Sequence, residues 1–274
     1  MKKCNDALLT GAAIGAGVSL ALLWLIKPGR STKAQRAPFR GQNFAHRGLY
    51  NKEAGIPENS LAAFRAAAAK GYGVELDVRL SADGFVVISH DNELLRMTGE
   101  NKRVDRCTLA ELRQLRLDGT EETIPLFSEV MDVLMAAHVP VIVEVKPVEL
   151  RDELCTKTLE ILDRYDGDCC VESFDPYTVR WFRKNAPDIL RGQLTSQFDD
   201  LGKTPGCFLV SRVLTNFLCR PQFIAHHVGR KALTVRLCEA MGAMRVRWTA
   251  HDRAWENESD AVIFEHFEPP VHYK

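Results

Sequence analysis

Two stretches decide the fold that this sequence predicts: Asn43-Phe-Ala-His-Arg-Gly-Leu-Tyr50 and Val74-Glu-Leu-Asp-Val-Arg-Leu80. In the second stretch, apolar side chains alternate with Glu75, Asp77 and Arg79, which is the two-residue period of a β-strand. Both carboxylates therefore lie on one face of that strand. In the first stretch, a histidine and an arginine follow a short run that predicts another strand. Charged groups at the ends of buried strands are costly unless they are paired, so these residues indicate a chemical site.

A third piece extends this unit. The tight turn Ser81-Ala-Asp-Gly84 is followed by the run Phe85 to Ser89, which predicts a hairpin built on the second strand. Such a hairpin returns His90 and Asp91 to the point where the strand carboxylates emerge. The sequence therefore predicts that a second histidine joins the first one at the same site.

Strands and helices alternate over the rest of the chain. Not counting the hairpin return, we predict eight strands: Gln42–His46, Val74–Leu80, Pro140–Lys146, Cys169–Phe174, Ile189–Leu194, Phe223–Val228, Met244–Trp248 and Asp260–Phe264. Eight strands separated mostly by helices are typical of an α/β protein of the (β/α)8, or TIM, barrel type, whose chemistry lies at the carboxyl ends of the strands. A doubly wound open sheet is the alternative, but no glycine-rich phosphate loop follows any strand.

The carboxylates predict a metal site. Glu75 and Asp77, with Glu144 from the next barrel strand, supply three hard oxygen ligands, which suit one divalent cation, Mg²⁺ or Ca²⁺. Arg47 and Lys146 are suited to hold phosphoryl oxygens and to stabilise negative charge. The alternative interpretation is a purely structural set of salt bridges between these carboxylates and the two cations.

Two histidines beside this set predict acid–base chemistry. His46 and His90 are placed to act on the two sides of one phosphorus atom, one as base and one as acid. The helix that starts near Asn59 adds its positive amide end to the same site, at the open end of the barrel that the carboxyl ends of the strands form, called the mouth below. The residues thus predict a metal-dependent phosphodiester-cleaving site.

Six motifs in this order are similar to those of the glycerophosphodiester phosphodiesterase family: His46-Arg47-Gly48, Pro57-Glu58-Asn59-Ser60, Glu75-Leu-Asp77, Asp83-Gly84, His90-Asp91 and Glu144-Val-Lys146. The resemblance implies a phospholipase-C-like barrel that hydrolyses glycerophosphodiesters to sn-glycerol 3-phosphate and an alcohol, in glycerophospholipid metabolism.

The resemblance also implies a role for each site residue. Glu75, Asp77 and Glu144 bind the metal; His46 is the base and His90 the acid; Arg47 and Lys146 contact phosphate; Phe174 and Trp248 shape the glycerol pocket; and Glu58 and Asn59 support the site. The sequence departs from the family pattern at Trp248-Thr-Ala-His251 and at Phe264-Glu-His-Phe-Glu-Pro269, which concerns specificity for the alcohol. His251 and His266 lack a motif context and are interpreted as surface or structural residues, with a position at the mouth of the barrel as the alternative. Tyr50 is either a residue that lines the pocket or a structural residue of the first loop.

The amino-terminal segment predicts a membrane anchor. Leu8 to Ile26 is almost wholly apolar and uncharged, and it is about as long as one bilayer crossing requires. A signal peptide is the weaker interpretation, since no good cleavage site follows. We therefore divide the chain into an anchor (1–27), a basic linker (28–38) and the barrel domain (39–274). The linker's basic residues favour a single-pass membrane protein with its barrel on the cytoplasmic face.

Composition limits the partners. The 274-residue chain has a formal net charge of zero, which argues against binding nucleic acid through bulk positive charge. Of eight cysteines, seven follow the apolar segment, and an odd number without metal-type spacing indicates reduced thiols and a reducing compartment. Two further functions stay open: phospholipase-D-like hydrolysis of lysophospholipids, and an inactive barrel that serves as a binding module. The sequence predicts nothing about the oligomeric state.

Overall fold

The structure, a computed structural model, describes residues 15–274. The strands are β1 Gln42–His46, β2 Gly73–Leu80, β3 Val86–Ile88, β4 Val141–Val145, β5 Cys169–Ser173, β6 Leu190–Thr195, β7 Phe223–His227, β8 Met244–Ala250 and β9 Ala261–Phe264. A first helix, α1, covers residues 15–26. The later helices are α2 Lys33–Arg36, α3 Leu61–Ala69, α4 Leu95–Thr98, α5 Leu109–Leu112, α6 Phe127–Ala137, α7 Arg151–Leu162, α8 Pro176–Asn185, α9 Pro205–Ser211, α10 Asn216–Cys219 and α11 Leu233–Ala240.

The sheet closes on itself. Its strand order is β1-β9-β8-β7-β6-β5-β4-β2-β3, and β1 also pairs with β2, so that eight parallel strands form a barrel. The one described strand that is not part of the closed ring is β3, which runs antiparallel to β2. The predicted eight-stranded barrel is confirmed. Between β8 and β9 the crossover is a short 3₁₀ helix, Arg253–Glu258, in place of an α-helix.

Alternate side chains of each barrel strand point to opposite sides, either to the surrounding helices or to the barrel interior. Val74, Leu76 and Val78 of β2 face the surrounding helices, where they join a large apolar cluster with Phe64 of α3 and Phe127 of α6. The alternate residues face the barrel interior. At its floor these are apolar and belong to a second cluster: Phe44, Ile142, Cys170, Leu190, Phe223 and Met244. Further along the same strands the inward residues become polar, because each strand opens there onto the mouth.

The hairpin places the second histidine at this mouth. The backbone N–H of Ser89 donates to the carbonyl of Asp77 at 3.1 Å. The guanidinium of Arg79 donates twice to the carbonyl of His90, at 3.1 and 2.6 Å. Arg79 therefore holds the end of the return strand beside Asp77 of β2, which is the position that the predicted hairpin gave it.

The predicted membrane location is wrong. Its span, Leu8 to Ile26, begins outside the described residues; between residues 15 and 274, none of the helices combines the length and apolar character needed to cross a bilayer. The physical reason lies at the end of α1, where Ile26 is fully buried against Ile224 and Val235 of the barrel layer. The Arg220 guanidinium also donates to the carbonyls of Trp24 and Lys27. These residues pack on protein.

Residues 28–38, predicted as a linker, follow the barrel surface. The backbone N–H of Gly29 donates to the carbonyl of Pro221 at 2.9 Å, and the side chain of Gln222 donates to the carbonyl of Arg30 at 2.9 Å. The Arg36 guanidinium donates to the carbonyl of Gly242 at 2.8 Å. Because these partners directly precede β7 and β8, the segment crosses the amino-terminal end of the barrel, opposite the mouth.

This packing gives a stability prediction. Ile26→Ala is expected to lower the free energy of unfolding by about 2–4 kcal/mol, because it leaves a cavity between α1 and the barrel. The matched control is Leu20→Ala on the same helix, whose side chain is 68% exposed and whose loss is expected to change stability by less than about 0.5 kcal/mol. Urea denaturation of both variants measures the difference. Equal stability of the two would contradict the docking of α1.

The seven cysteines in the described part of the chain are free thiols. Burial raises the pKa of Cys155, Cys219 and Cys238 to about 12, so these side chains stay protonated at neutral pH. A neutral buried thiol packs as a small apolar group and is a poor nucleophile. Cys155, Cys219 and Cys238 thus contribute packing.

Candidate active site

Three carboxylates converge at the mouth. Glu75 and Asp77 lie on β2, and Glu144 lies on β4 directly opposite Asp77 in the register. Each offers a carboxylate oxygen, and these oxygens all lie within 4.8 Å of one another. All three side chains are buried. The structure thus brings together the three residues that the alternation pattern selected as metal ligands.

Lys146 neutralises part of this charge. Its Nζ lies 2.8 Å from Asp77 Oδ1 and 2.8 Å from Glu144 Oε1. Burial opposes ionisation of Asp77, but Lys146, His90 and Arg47 together outweigh it and hold the pKa of that carboxyl well below its usual range. Burial and repulsion by Asp77 and Glu144 raise the pKa of Glu75 well above its usual range. The cluster therefore contains more negative charge than Lys146 alone balances.

A fourth acid, Glu172, was not predicted. It lies on β5, pairs with Glu144 in the register and is buried. Burial and the nearby Glu144 raise its pKa well above the usual range, and its Oε2 finds no hydrogen-bond partner in residues 15–274. The sequence could have indicated it, because Glu172 lies two residues after the inward-facing Cys170 in β5, just as Glu144 lies two residues after the inward-facing Ile142 in β4.

These side chains fit a divalent cation. The converging donors are carboxylate oxygens, which Mg²⁺ and Ca²⁺ prefer, and no imidazole or thiolate belongs to the set of Glu75, Asp77 and Glu144. Buried like charges this close repel one another, and a divalent cation between them would relieve that repulsion. The donor set is therefore chemically suited to the metal that the sequence predicted.

Arg47 ties the first loop to the carboxylates. Its backbone N–H donates to Glu75 Oε2 at 3.1 Å, and its Nη1 donates to Glu58 Oε1 at 2.7 Å. Its Nε lies 3.7 Å from Asp77 Oδ2. The side chain of Asn59 donates to the same Asp77 oxygen at 2.8 Å, while Ser60 caps α3. Glu58 and Asn59 thus orient Arg47 and Asp77, respectively.

His46 is held by a carboxylate that lies far away in sequence. Its Nδ1 is 2.7 Å from Glu265 Oε2, and its Nε2 is 3.9 Å from Glu75 Oε2. Because Glu265 accepts at Nδ1, the proton lies on that nitrogen and Nε2 keeps its lone pair. Burial lowers the pKa of His46 despite the Glu265 partner, so the ring is neutral at neutral pH.

His90 has the same kind of partner. Its Nδ1 is 2.7 Å from Asp91 Oδ1, and Arg96 donates from Nε to the other oxygen of Asp91 at 2.5 Å. Arg96 also donates to both oxygens of Glu58, at 3.1 and 2.7 Å. Burial lowers the pKa of His90 to about 4, against the attraction of Asp77. A chain of charged groups thus joins the second histidine to Glu58, the partner of Arg47.

An aromatic pair lies at the carboxyl ends of β5 and β8. The rings of Phe174 and Trp248 meet edge to face, with centroids 5.6 Å apart. The indole N–H of Trp248 donates to the carbonyl of Ala225 at 3.0 Å, which fixes the ring. Both rings border the interior apolar cluster. They supply the apolar side of the mouth.

Sequence reasoning missed two positioning residues, Glu265 and Arg96. Glu265 directly follows β9, so the rule that selected the ends of other strands also applied to it. Arg96 lies on the short helix α4, and its sequence context carried no signal. Burial opposes ionisation of Glu265, yet hydrogen bonds from His46 and Tyr50 lower its pKa to about 2. Glu265 is therefore a permanent anion beside the first histidine.

An eight-stranded parallel barrel with acids, cations and imidazoles at the carboxyl ends of its strands has the architecture of a barrel enzyme. The Glycerophosphoryl diester phosphodiesterase family matches residues 46–263, and the chain belongs to that family.

Individual relatives and solved structures with similar sequences carry related names. The chain is 32% identical over 162 residues to the glycerophosphodiester phosphodiesterase of Caldanaerobacter subterraneus subsp. tengcongensis, covering 55% of this chain and 65% of that protein. It is 35% identical over 157 residues to human glycerophosphodiester phosphodiesterase 1, covering 53% and 46%. The matches thus span less than two thirds of either relative. A phosphodiesterase of Oleispira antarctica in complex with the product sn-glycerol-3-phosphate is 27% identical, with a TM-score of 0.69, over 84% of this chain and 94% of that one.

Proposed function

We propose that this protein hydrolyses glycerophosphodiesters to sn-glycerol 3-phosphate and an alcohol, in glycerophospholipid metabolism, with one divalent cation and two histidines. The observation that carries the proposal is the pairing of both imidazoles with carboxylates at Nδ1, beside the three converging acids. His46 pairs with Glu265 and His90 with Asp91, each at 2.7 Å. Such pairing fixes the ring and leaves Nε2 for proton transfer.

Glu75, Asp77 and Glu144 would hold the cation, Mg²⁺ or Ca²⁺. When bound, it supplies positive charge that polarises a phosphoryl oxygen and favours ionisation of a nearby hydroxyl. Arg47 and Lys146 bind the other phosphoryl oxygens and stabilise the charge that builds on them. Phe174 and Trp248 pack against the carbon skeleton of the glycerol.

His46 acts as the base. Its Nε2 takes the proton of the attacking hydroxyl, which belongs either to water or to the glycerol of the substrate. In the second case a cyclic glycerophosphate forms as the alcohol leaves, and water then opens the ring to give sn-glycerol 3-phosphate. The imidazolium that forms is stabilised by Glu265, which is already ionised and 2.7 Å from Nδ1. A carboxylate partner favours this protonation, because it stabilises the positively charged imidazolium more than the neutral ring.

His90 acts as the acid. In the protein alone, its pKa of about 4 leaves it neutral; burial is the main cause of that low value, and Lys146 and Arg47 add to it. The negative charge of a phosphodiester offsets those cations and raises the pKa, so the ring acquires a proton with the substrate. The proton passes from Nε2 to the leaving alcohol oxygen as the phosphorus–oxygen bond breaks.

The proposal is tested by a substrate panel. We expect sn-glycerol 3-phosphate from glycerophosphocholine and glycerophosphoethanolamine, in the presence of Mg²⁺ or Ca²⁺. Faster release of choline from lysophosphatidylcholine than from glycerophosphocholine would favour the phospholipase-D-like alternative. No product from any of the three would contradict the proposed hydrolysis.

Glu265 gives a further prediction. Glu265→Gln keeps the size of the side chain but removes the charge beside His46, so we expect kcat to fall by roughly 100-fold, within the range of acid–base effects, with little change in KM. Tyr50→Phe removes only the other donor to Glu265 Oε2, at 2.9 Å, and is expected to cost less than about 5-fold. Rescue of kcat by Glu265→Asp, but not by Gln, would distinguish charge from packing. An unchanged kcat in Glu265→Gln would contradict the positioning role.

A further inference from the structure

Two exposed histidines lie on the outer side of Glu265. His251 directly follows β8, and Glu265 and His266 directly follow β9, the neighbouring strand. The strands are in register at Ala250 and Phe264, and the backbone N–H of Glu265 donates to the carbonyl of Ala250 at 3.0 Å. The three side chains are therefore anchored on adjacent, rigid strand ends.

Their polar atoms converge. His251 Nε2 and His266 Nε2 each lie 3.7 Å from Glu265 Oε1. One ligand atom from each of the three lies within 4.8 Å of the other two. The two imidazole rings are nearly parallel, with an interplanar angle of 8° and centroids 5.6 Å apart. The hydroxyl of Tyr50 also lies nearby, 3.4 Å from His266 Nε2.

These distances are too long for direct hydrogen bonds to Glu265 and leave space for an ion between the three side chains. A separation of 3.7 Å is too long for an N–H···O bond, so neither ring is held by donating to Oε1. Two ligands bound to one zinc ion at about 2.1 Å, at a tetrahedral angle, lie about 3.4 Å apart. Metal binding would therefore shorten the two N–O separations by about 0.3 Å and bring the two imidazole nitrogens, which lie within 4.8 Å of each other, to a similar distance.

The donor chemistry differs from that of the inner carboxylates. Two imidazoles and one carboxylate suit a divalent transition metal, whereas the oxygen-only set of Glu75, Asp77 and Glu144 suits Mg²⁺ or Ca²⁺. The sites are separate because Glu265 uses opposite oxygens, Oε2 for His46 and Oε1 for the outer triangle. The side chains of His251 and His266 are 56% and 61% exposed, so solvent has access to complete the coordination.

We propose that His251, Glu265 and His266 form a second metal site, which binds one divalent transition-metal ion of the Zn²⁺ type at the mouth of the barrel. The bound ion uses the two Nε2 atoms, Glu265 Oε1 and water as ligands. It shares Glu265 with His46, so the two centres are joined through one carboxylate.

The test is direct binding of Zn²⁺ by the full chain, measured by isothermal titration calorimetry in excess Mg²⁺, which occupies the oxygen site. We expect the wild type to bind one Zn²⁺ at the outer site. His251→Ala/His266→Ala is expected to bind it more than about 100-fold more weakly, since even the loss of an outer partner of a ligand costs 10- to 100-fold. Binding is read without turnover, so the result is independent of the proposed hydrolysis.

The matched control is His272→Ala, which removes another exposed histidine outside the triangle. It is expected to bind Zn²⁺ as the wild type does. Titration with Co²⁺ gives a second readout, because its visible absorption bands should shift on imidazole binding and lose that shift in the double variant. Equal Zn²⁺ affinity in the wild type and the double variant would overturn the proposal, as would the absence of Zn²⁺ binding by the wild type. Circular dichroism verifies the fold of each variant.

Discussion

Replacement of His46 and His90 by alanine is expected to reduce the release of sn-glycerol 3-phosphate from glycerophosphocholine by orders of magnitude. Acid–base groups of this kind contribute about 10²–10⁴-fold each to the rate. Because one ring takes a proton and the other gives one in the same reaction, the effects should not multiply, and each single variant should approach the loss of the double variant. The measurement is kcat for His46→Ala, His90→Ala and the double variant.

The fold should survive these changes. The side chain of His90 is 34% exposed and that of His46 is 12% exposed, and neither belongs to an apolar cluster of the barrel. His272→Ala is the matched control, since it removes an exposed histidine that has no place in the proposed chemistry. Thermal unfolding separates loss of activity from loss of structure. Wild-type turnover by a folded double variant would contradict the assignment of both histidines.

Removal of the proposed cation is expected to have the second large effect on turnover. Chelation with EDTA is expected to reduce turnover by about 100- to 1000-fold, since a bound cation supplies several kcal/mol of charge stabilisation and each ~1.4 kcal/mol is tenfold. Addition of Mg²⁺ or Ca²⁺ in excess should restore activity. Glu75→Gln is expected to lose a similar factor that added cation does not restore. A chelator that left the rate unchanged would contradict the metal requirement.

Stability provides an independent measure of the same site. A cation that binds only the folded protein should stabilise the wild type by about 2.7 kcal/mol at 100 times its dissociation constant. Glu75→Gln should show much less of this gain. Without cation, the variant should unfold at the same temperature as the wild type or higher, because it lacks one of the mutually repelling buried carboxylates, Glu75, Asp77 and Glu144. Equal stabilisation of both proteins would place the cation elsewhere.

The barrel was predictable because strand signals are local. In Val74–Leu80 and in Pro140–Lys146, a buried strand alternates apolar and charged residues, and that period alone defines which face each side chain takes. The hairpin return was predictable for the same reason, since the turn Ser81–Gly84 is a short-range feature. Helix caps are equally local: the side chains of Thr108 and Ser60 accept from backbone amides at the starts of α5 and α3.

The amino-terminal segment was not predictable from hydropathy. An apolar run signals burial, but it carries no information on whether lipid or protein covers it. In the described residues, Ile26 is covered by Ile224 and Val235, which lie some two hundred positions later in the chain. Only the tertiary structure could show that contact, and among residues 15–274 it shows no helix that is long and apolar enough to cross a bilayer.

The sequence by itself determined the barrel, the inward phase of Glu75, Asp77 and Glu144, and the return of His90, because these follow from periods and turns within a few residues. Tertiary structure alone decided the partners: Glu265 on His46, Arg96 between Glu58 and Asp91, and the triangle of His251, Glu265 and His266. The physical reason is that the barrel closes between its last strand, β9, and its first strand, β1. This pairing brings Glu265 against His46, although the two residues are far apart in the sequence.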